Sequence, residues 1–421
     1  MDERSESDWK QLGFMLGTVF RPGTPVNRED LFSGRTAPLR RVVDTINQHG
    51  QHSVIYGERG VGKTSLANML WPTLHATGCS ILIPVVNCGG ASTYASIWKS
   101  VFSEILTICE KKDLEMHDRT HQIMSAFTEP YGDGITEDVV RRILDQLGER
   151  YIVVVVIDEI DTIRDDQTRA QLADTIKLLS DRNVSATIVL IGVADDVNNL
   201  ISNHMSVERC LRQVHLPRMS RDELEEVVTN GLAGFDMTID QDALHETSRL
   251  ARGLPHYAHL MGLSAGRSAV DRKSMTVSKS DVKNATKEAI ESAQASTINS
   301  YVNAVSSARK DALFEVVLLA SAMAKTDELG FFFASDVQGP LSLIRGKECP
   351  IDTYSRHLNA FCNEDRGCVL EAKKTASSTR YRFTNPILEP YVLIKGVASG
   401  AVSEKLLAET RDLDDPQLRL F

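Results

Sequence analysis

Long apolar runs are missing from this chain, and their absence excludes a membrane-spanning protein. The longest, YIVVVVI (151–157) and IVLIGVA (188–194), are far shorter than the roughly 20 apolar residues needed to cross a bilayer. The N-terminus, MDERSESDW, is acidic and polar, so it does not resemble a signal peptide. These features predict a soluble cytoplasmic protein with no membrane partner.

A surplus of positive charge and paired cysteines are missing too. The formal net charge of -10 excludes a globally basic nucleic-acid coat protein, so any contact with nucleic acid has to come from a local patch. The seven cysteines are an odd number without a CxxC pair, which favours reduced thiols over a disulfide framework or a zinc site. The sequence shows no internal repeat, and its 421 residues predict two or three domains.

The stretch GERGVGKTS, residues 57–65, fits the phosphate-binding loop of nucleotide-binding proteins. In such a loop the glycines let backbone N–H groups curl around phosphates, Lys63 reaches the β and γ phosphates, and the Thr64 hydroxyl ligates Mg²⁺. The segment HSVIYG before the loop predicts a buried strand, and KTSLANML after it predicts a helix whose N-terminus faces the phosphates. The predicted nucleotide-binding residues are Gly57, Glu58, Arg59, Gly60, Val61, Gly62, Lys63, Thr64 and Ser65.

The pattern of apolar segments predicts how the rest of the chain is organised into strands, helices and domains. SVIYG, CSILIPVVNC, YIVVVVIDE and SATIVLIGVA alternate with helical stretches, which predicts an α/β fold with a parallel sheet covered on both faces. Helical patterns follow, and then three helices and the short strands CVLEAK and RYRFT, in the order of a winged helix. The predicted parts are an irregular lead-in (1–30), a nucleotide-binding core (31–217), a helical lid (218–300), a winged-helix domain (301–395) and a polar tail (396–421).

Two carboxylates follow the strand YIVVVVI, roughly a hundred residues after the phosphate loop. Asp158 ends the strand, where it would hold the Mg²⁺ shell, and Glu159 would polarise the attacking water. Asp161 is the next candidate for that base. Together the two motifs predict an ATPase with ATP and Mg²⁺ as its cofactors.

These residues resemble the motifs of AAA+ ATPases, and within them of the replication-initiator branch formed by archaeal and eukaryotic origin-recognition proteins. LFSGR (31–35) is similar to the adenine-side box, which assigns Arg35 to the nucleotide. IGVADDV (191–197) is similar to the fourth-strand motif, with Asp195 in a catalytic position where asparagine is usual. The resemblance covers residues 30–395 and implies a parallel-sheet P-loop AAA+ core, a helical lid and a C-terminal winged-helix domain.

The resemblance also implies an arginine finger, which would stabilise charge on the nucleotide of a neighbouring subunit. SVERCLRQVHLPRM (206–219) looks like the segment that carries it, with Arg209 at the matching place. Arg212 and Arg218 lie close by and stay alternatives.

The lid departs from the initiator pattern. Where initiators have a sensor arginine three residues after a glycine, this chain has GLPHYA, which puts His256 at that position and Arg252 just before the glycine. GLPHYA is more similar to the Gly-x-Pro motif of STAND signalling NTPases, in which the lid contacts nucleotide directly. An imidazole in place of a permanent cation weakens charge stabilisation at the γ-phosphate, which predicts slow turnover. Two alternatives stay open: His256 packs within the lid, and Asp195 caps the helix that follows it.

The predicted winged helix is locally basic. From Pro350 to Pro386 it holds six lysines and arginines against four acidic residues. DTYSRHLNAF is the predicted recognition helix, capped by Asp352 and presenting Arg356 and Asn359, while the turn between the strands would lie near phosphates. Protein docking is the alternative, since winged helices also serve that purpose. The predicted DNA contacts are Arg356, Lys373, Lys374, Arg380 and Arg382.

All these features predict an ATP-dependent molecular switch. ATP closes the core against the lid and promotes self-association or partner loading on double-stranded DNA, and slow hydrolysis resets the switch. One alternative is a STAND-like regulator that controls a partner effector, for example in phage defence, although the long sensor repeats usual in such proteins are absent from this sequence. Another is a target-selecting ATPase helper of a transposase.

Overall fold

The computed structural model describes residues 4–25, 34–76, 78, 80–112, 120–122, 134–194, 207–307, 313–375 and 378–402. The chain forms two compact units. The core comprises Pro25–Glu58 and Gly62–Pro217, and the second unit, called the lid unit below, comprises Met1–Thr24, Arg59–Val61 and Arg218–Phe421. The chain therefore passes from the lid unit into the core after Thr24, contributes Arg59–Val61 of the loop after Glu58 to the lid unit, and returns to that unit for good after Pro217. Among the helices in the described residues, none combines the length and apolarity needed to span a lipid bilayer.

The core is built on a parallel sheet, as the apolar runs predicted. Its strands in the described residues are β1 (His52–Gly57), β2 (Ile81–Leu82), β3 (Val85–Asn87), β4 (Ile152–Asp158), β5 (Ala186–Val193) and β6 (Leu211–His215). They lie in the order β2 and β3, then β4, β5, β1 and β6, and every pairing is parallel. The helices are α2 (Thr36–Ile46), α3 (Lys63–Asn68), α4 (Leu70–His75), α5 (Tyr94–Lys112), α6 (Glu137–Gly148) and α7 (Asp166–Asp181).

Two details of this sheet differ from the expectation. CSILIPVVNC, predicted as one strand, is split into β2 and β3 at Ile83–Pro84, because a proline has no N–H to donate to the ladder. The carbonyl of Pro84 still accepts a hydrogen bond from the Val156 N–H, at 2.9 Å. β6 was not among the four segments named as strands, since only part of it is buried and its apolar signal is correspondingly weak.

The strand order places the candidate site. β5 pairs with β1 on one side and with β4 on the other, with Gly57 of β1 opposite Val193 of β5. In a parallel sheet all carboxyl ends meet at the same edge. The loop after β1 and the acidic residues after β4 therefore emerge at one edge, on either side of the end of β5.

The lid unit begins with a helix, α1 (Glu6–Val19), so the expectation of an irregular lead-in was wrong for this segment. A capping box starts the helix: the Ser5 hydroxyl accepts from the Asp8 N–H, and the Asp8 carboxylate accepts from the Ser5 N–H. The face with Trp9, Leu12, Leu16 and Val19 is buried. Apolar burial at this spacing, together with the cap, makes the segment helical in spite of its polar composition.

Phe20 anchors the end of α1 in the lid unit. A Cβ at Gly231 would lie 2.5 Å from the Phe20 ring, and a Cβ at Gly262 would lie 2.6 Å from it. The ring therefore occupies space that only two glycines leave open. The helices that carry them belong to the lid, which consists of α8 (Arg221–Ala233), α9 (Gln241–Ala251), α10 (Pro255–Asp271) and α11 (Lys279–Glu291).

The lid was expected to be purely helical, but the structure also contains strands there. Two short strands, β7 (Thr238–Ile239) and β8 (Thr276–Val277), pair in parallel between its helices. The first lid helix starts with a capping box: the Ser220 hydroxyl accepts from the Glu223 N–H, and the Glu223 carboxylate accepts from the Ser220 N–H.

The C-terminal segment, residues 295–402, has the element order of a winged helix. A three-stranded antiparallel sheet has the order β10, β11, β9. Its strands are β9 (Phe332–Phe333), β10 (Leu370–Lys374) and β11 (Thr379–Phe383), and its helices are α12 (Ala295–Val305), α13 (Phe314–Met323), α14 (Ala334–Arg345), α15 (Ser355–Phe361) and α16 (Leu388–Ala398). The polar tail from residue 403 onward lies outside the described residues.

The predicted cap of the recognition helix was wrong. Asp352 lies in a 3-10 turn, Ile351–Thr353, and α15 starts only after Tyr354, without a side-chain cap. The buried Tyr354 explains the turn, because its hydroxyl donates to the Ala334 carbonyl at 2.6 Å and so holds this point of the chain against the start of α14.

Candidate nucleotide site

The loop after β1 has the backbone that a phosphate cradle requires. Gly57, Gly60 and Gly62 all have positive φ, at 152°, 85° and 96°, a region that other residues rarely adopt. At Gly57 the constraint is also one of space, because a Cβ there would lie 2.3 Å from the Leu216 carbonyl oxygen. The loop therefore depends on glycine at the positions that the motif assigns to it.

Lys63 begins α3 and is buried, with only 8% of its surface exposed. Its Nζ donates to two carbonyl oxygens of the same loop, Gly57 at 3.1 Å and Glu58 at 2.8 Å. A lysine held inside its own loop is already in position to contact phosphates that enter the loop. The residues present thus fit the triphosphate of ATP.

Asp158 and Thr64 meet across the sheet edge. The Thr64 hydroxyl donates to Oδ2 of Asp158 at 2.6 Å, while Oδ1 of Asp158 accepts from the Glu159 N–H at 2.7 Å. Asp158 is nearly buried, at 4% exposure. A hydroxyl and a carboxylate fixed side by side are hard oxygen ligands of the type that Mg²⁺ prefers, so this pair fits the ion that accompanies ATP.

Glu159 is exposed beside this pair and has a strained backbone, with φ of 57°. Non-glycine residues in this region cost about 1 kcal/mol or more, and they cluster at functional sites. Thr162 holds the turn, since its hydroxyl and its N–H both donate to the Glu159 carbonyl, at 2.7 and 3.0 Å. The turn leaves the Glu159 carboxylate at the edge of the sheet next to the loop.

Asp161, the second candidate for the base, has a structural partner. Its Oδ1 accepts from the Val193 N–H at the end of β5, at 2.8 Å. Burial, together with the charges of Asp158, Glu159 and Asp161, raises the pKa of the neighbouring Cys88 thiol to about 12. The site is therefore strongly anionic on the β4 side, which complements a divalent cation.

The three candidate arginine fingers are in different environments. The side chain of Arg209 is 69% exposed and forms an ion pair with Asp181 at 2.6 Å, and Arg212 is exposed on β6. Arg218, by contrast, forms an ion pair with the buried Glu389 at 2.8 Å. Arg35, assigned to the nucleotide by the adenine-side box, is buried and donates to the Pro217 carbonyl at 2.6 Å, at the end of the core.

The two candidate sensors of the lid both have partners within the lid unit. His256 Nδ1 lies 2.5 Å from the Pro22 carbonyl oxygen, which makes Nδ1 the protonated ring nitrogen. Arg252 pairs with Glu389 and donates to the Ala324 carbonyl. Their contact with nucleotide stays a prediction. Asp195 lies outside the described residues.

Some of the predicted DNA contacts are exposed side chains, and the others lie against the ring of Phe331. Arg356 and Lys374 are exposed, whereas Lys373, although exposed, has its Nζ 6.0 Å from the centre of the Phe331 ring. The guanidinium groups of Arg380 and Arg382 stack on the same ring at 4.1 and 4.4 Å. Arg380 also pairs with Asp327 at 3.1 Å, and Arg382 pairs with Glu371.

A glycine loop with a buried lysine, adjoining a strand-end aspartate in a parallel sheet, defines a P-loop nucleoside triphosphatase. Residues 46–201 match the profile of the AAA domain family. The chain is similar in structure to the Walker-type ATPase of Pyrococcus abyssi, with 18% sequence identity and a TM-score of 0.55 over 89% of this chain and 99% of that chain. A comparison with curated protein sequences found no match.

Two further solved structures are more distantly similar. The ORC2 protein of Aeropyrum pernix is 18% identical with a TM-score of 0.48, over 93% of this chain and 98% of that chain. The RuvB Holliday junction branch migration motor of Thermotoga maritima is 14% identical with a TM-score of 0.43, over 85% of this chain and 95% of that chain. The match over residues 46–201 and the geometry of the site together show an ATPase with an AAA domain, and ATP and Mg²⁺ as its cofactors. The predicted P-loop core is thereby confirmed.

Sequence reasoning missed one charged residue that the structure makes prominent. Glu389 is 1% exposed and pairs with both Arg218 and Arg252. The sequence offered one sign of this buried charge: Glu389 is a single acidic residue within the apolar stretch PILEPYVLI. A carboxylate in such a stretch is rarely buried without cationic partners, but the sequence does not say which arginines those are.

Proposed function

We propose that this ATPase is a nucleotide-controlled switch that self-associates in its ATP state on double-stranded DNA and is reset by slow hydrolysis. The observation that carries the self-association is the exposure of Arg209. Its ion pair with Asp181 joins two exposed side chains, and such pairs contribute only about 0–1 kcal/mol. Arg209 can therefore leave Asp181 at little cost for the phosphates of a neighbouring copy.

The position of the other arginines supports Arg209 as the finger. Arg218 would have to leave the buried Glu389 with one of its two arginine partners missing, and breaking a buried ion pair costs several kcal/mol. Arg212 is exposed on β6 and is the natural comparison. Size-exclusion chromatography with and without ATP and duplex DNA tests the whole proposal, and a chain that stays monomeric under all four conditions would refute it.

If Arg209 acts on a neighbour, Arg209→Ala should still bind ATP but lose the dependence of its hydrolysis rate on protein concentration. Fingers of this kind are worth roughly 10³- to 10⁵-fold in rate. Mixing Arg209→Ala with Lys63→Ala should recover part of the activity, because one protein supplies the intact loop and the other supplies the finger. Arg212→Ala is the matched control and should hydrolyse ATP like the parent.

No recovery in the mixture, with both variants folded, would point to a mechanism within one chain. The same mixture made with Arg212→Ala distinguishes the two arginines. An Arg212→Ala variant that loses activity and regains it on mixing with Lys63→Ala, beside an Arg209→Ala variant that behaves like the parent, would make Arg212 the finger.

DNA binding is supported by the exposed lysines at the end of the hairpin. Lys373 and Lys374 are exposed on β10, and Arg356 is exposed on α15. Arg380 and Arg382 are less available, because each already has an acidic partner and stacks on Phe331. Their side chains are only 22% and 18% exposed. Substituting the two lysines is therefore the more direct test of phosphate contacts.

Each phosphate contact that is removed should flatten the dependence of log affinity on log salt by roughly 0.9. Lys373→Gln with Lys374→Gln should therefore reduce the slope by about two units, and adding Arg380→Gln and Arg382→Gln should reduce it by up to about three to four in total. Fluorescence anisotropy with a labelled duplex measures both slopes. Lys283→Gln with Lys287→Gln, two exposed lysines of α11, is the control and should leave the slope unchanged.

A second function is favoured by the packing on Phe331. Three of the predicted DNA contacts, Lys373, Arg380 and Arg382, lie around that one ring. Such a face suits a protein partner, as a STAND-like regulator of an effector would need. A parent protein that shows no salt-dependent duplex binding in either nucleotide state would favour this second function.

A further inference from the structure

Glu389 stands between two arginines inside the lid unit. It is the second residue of α16 and is 1% exposed. Its Oε2 lies 2.8 Å from Nη2 of Arg218, and its Oε1 lies 2.7 Å from Nε of Arg252. Burial would raise the pKa of this carboxyl, but the charges of the two arginines and their hydrogen bonds outweigh burial and hold the pKa below its ordinary value. The cluster is therefore ionised at neutral pH.

The cluster joins three stretches that are far apart in the chain. Arg218 is the first residue after the core, Arg252 ends α9 with φ of 49°, and Glu389 belongs to the C-terminal segment. The Arg218 Nη1 donates to the Arg252 carbonyl at 3.2 Å. The Arg252 Nη2 donates to the Ala324 carbonyl, which follows α13, at 2.8 Å. The Arg218 guanidinium and the Glu389 carboxylate thus each have partners in two other stretches of the chain.

The turn after α9 fits closely into this cluster. Gly253 has φ of 80°, and a Cβ there would lie 2.6 Å from Cβ of Arg218. The Gly253 carbonyl accepts from the Met219 N–H at 2.9 Å. A few residues on, the Tyr257 hydroxyl donates to the Ile387 carbonyl at 2.8 Å, just before α16. The GLPHYA turn is therefore bonded both to the start of the lid and to the start of α16.

We propose that the Arg218–Glu389–Arg252 cluster is a joint that makes the lid and the C-terminal segment move as one body when nucleotide binds. Opening it would leave one carboxylate and two guanidinium groups buried without their partners, so the joint stays closed while the chain bends elsewhere. The bending points are crossings between the units, among them Thr24–Pro25 and Pro217–Arg218. Glu389 is a positioning residue, since it acts through the two arginines. The movement rests on the switch proposed above, whereas the joint does not.

The test is a set of three distances measured by electron spin resonance on the full chain. Labels are carried by non-natural amino acids, which leaves the seven cysteines intact. They are placed at exposed positions of the core (Asp174), the lid (Lys287) and the C-terminal segment (Glu348). With a non-hydrolysable ATP analogue, both distances from Asp174 should change, while the distance between Lys287 and Glu348 should not. A nucleotide-dependent change between Lys287 and Glu348 in the parent would overturn the joint.

Variants test the joint independently of nucleotide. Glu389→Gln should broaden the distribution of distances between Lys287 and Glu348 at least twofold. Should Glu389→Gln fail to fold, Glu389→Gln combined with Arg252→Gln retains a neutral amide pair and should show the same broadening. Arg218→Lys keeps the charge and should keep the distribution narrow.

A matched control removes a buried carboxylate that lies within the lid alone. Asp281 is 1% exposed and pairs with Arg272 at 2.7 Å, and both residues belong to the lid. Asp281→Asn should leave the distance between Lys287 and Glu348 narrow, although it removes an equivalent ion pair. If nucleotide changes none of the three distances, the switch is refuted, and an unchanged distribution in Glu389→Gln refutes the joint.

Discussion

Lys63→Ala should abolish ATP binding. The variant loses the one lysine inside the phosphate loop, and each charge-assisted hydrogen bond to phosphate is worth about 1.5–3 kcal/mol. Two such bonds would turn a micromolar complex into one near millimolar or weaker. Isothermal titration calorimetry with ATP and Mg²⁺ measures the loss, and affinity like that of the parent would refute the phosphate-loop assignment.

A control is needed because Lys63 also bonds to its own loop. Its contacts with the Gly57 and Glu58 carbonyls mean that alanine could loosen the loop as well as remove the charge. Thermal unfolding without nucleotide separates the two effects, since a change confined to binding leaves the melting temperature nearly unaltered. Lys99→Ala, which removes an exposed lysine of α5, should bind ATP like the parent.

Glu159→Gln should bind ATP normally, hydrolyse it on the order of 10²- to 10⁴-fold more slowly, and accumulate the assembled state. Glutamine keeps the shape of the side chain and does not disturb the contact between Asp158 and Thr64, so the Mg²⁺ ligands stay in place. What is lost is the carboxylate that we expect to polarise the attacking water. A phosphate-release assay measures the slower hydrolysis, and calorimetry on the same protein measures the unchanged ATP binding.

The neighbouring acid is the matched comparison. Asp161→Asn retains an oxygen that can accept from the Val193 N–H, so β5 keeps its tether while the charge is removed. This variant should hydrolyse ATP at close to the parent rate. If instead Glu159→Gln hydrolyses ATP at the parent rate and Asp161→Asn hydrolyses it slowly, Asp161 is the base.

The core and its loop could be predicted because their causes are local in sequence. Strands buried on both faces are continuous apolar runs, and β4 and β5 show this plainly. The loop is fixed by residues within nine positions, Gly57 to Ser65, each with a defined backbone or chemical requirement. The pairing of Thr64 with Asp158 then follows from the parallel sheet, which brings their strands to one edge.

Other features of the fold could not be predicted, because they depend on contacts between residues that are far apart in the sequence. Arg252 and Glu389 are 137 residues apart, and nothing near either of them specifies the other. The same holds for α1, whose partners lie in the lid more than two hundred residues later, and the segment was therefore expected to be irregular. Its capping residues Ser5 and Asp8 were the local signal that could have indicated a helix.

The position of the core within the chain bears on how the protein is made. Because the lid unit both precedes and follows the core, α1 leaves the ribosome well before the lid helices that cover its apolar face. At about 5–20 residues per second, the roughly 210 residues between Phe20 and Gly231 take about 10–40 s to synthesise. During that interval Trp9, Leu16 and Phe20 lack the lid helices against which α1 packs. Completion of the lid unit is therefore a late, non-local step of folding, and the nascent N-terminal helix is a natural binding site for a chaperone until it occurs.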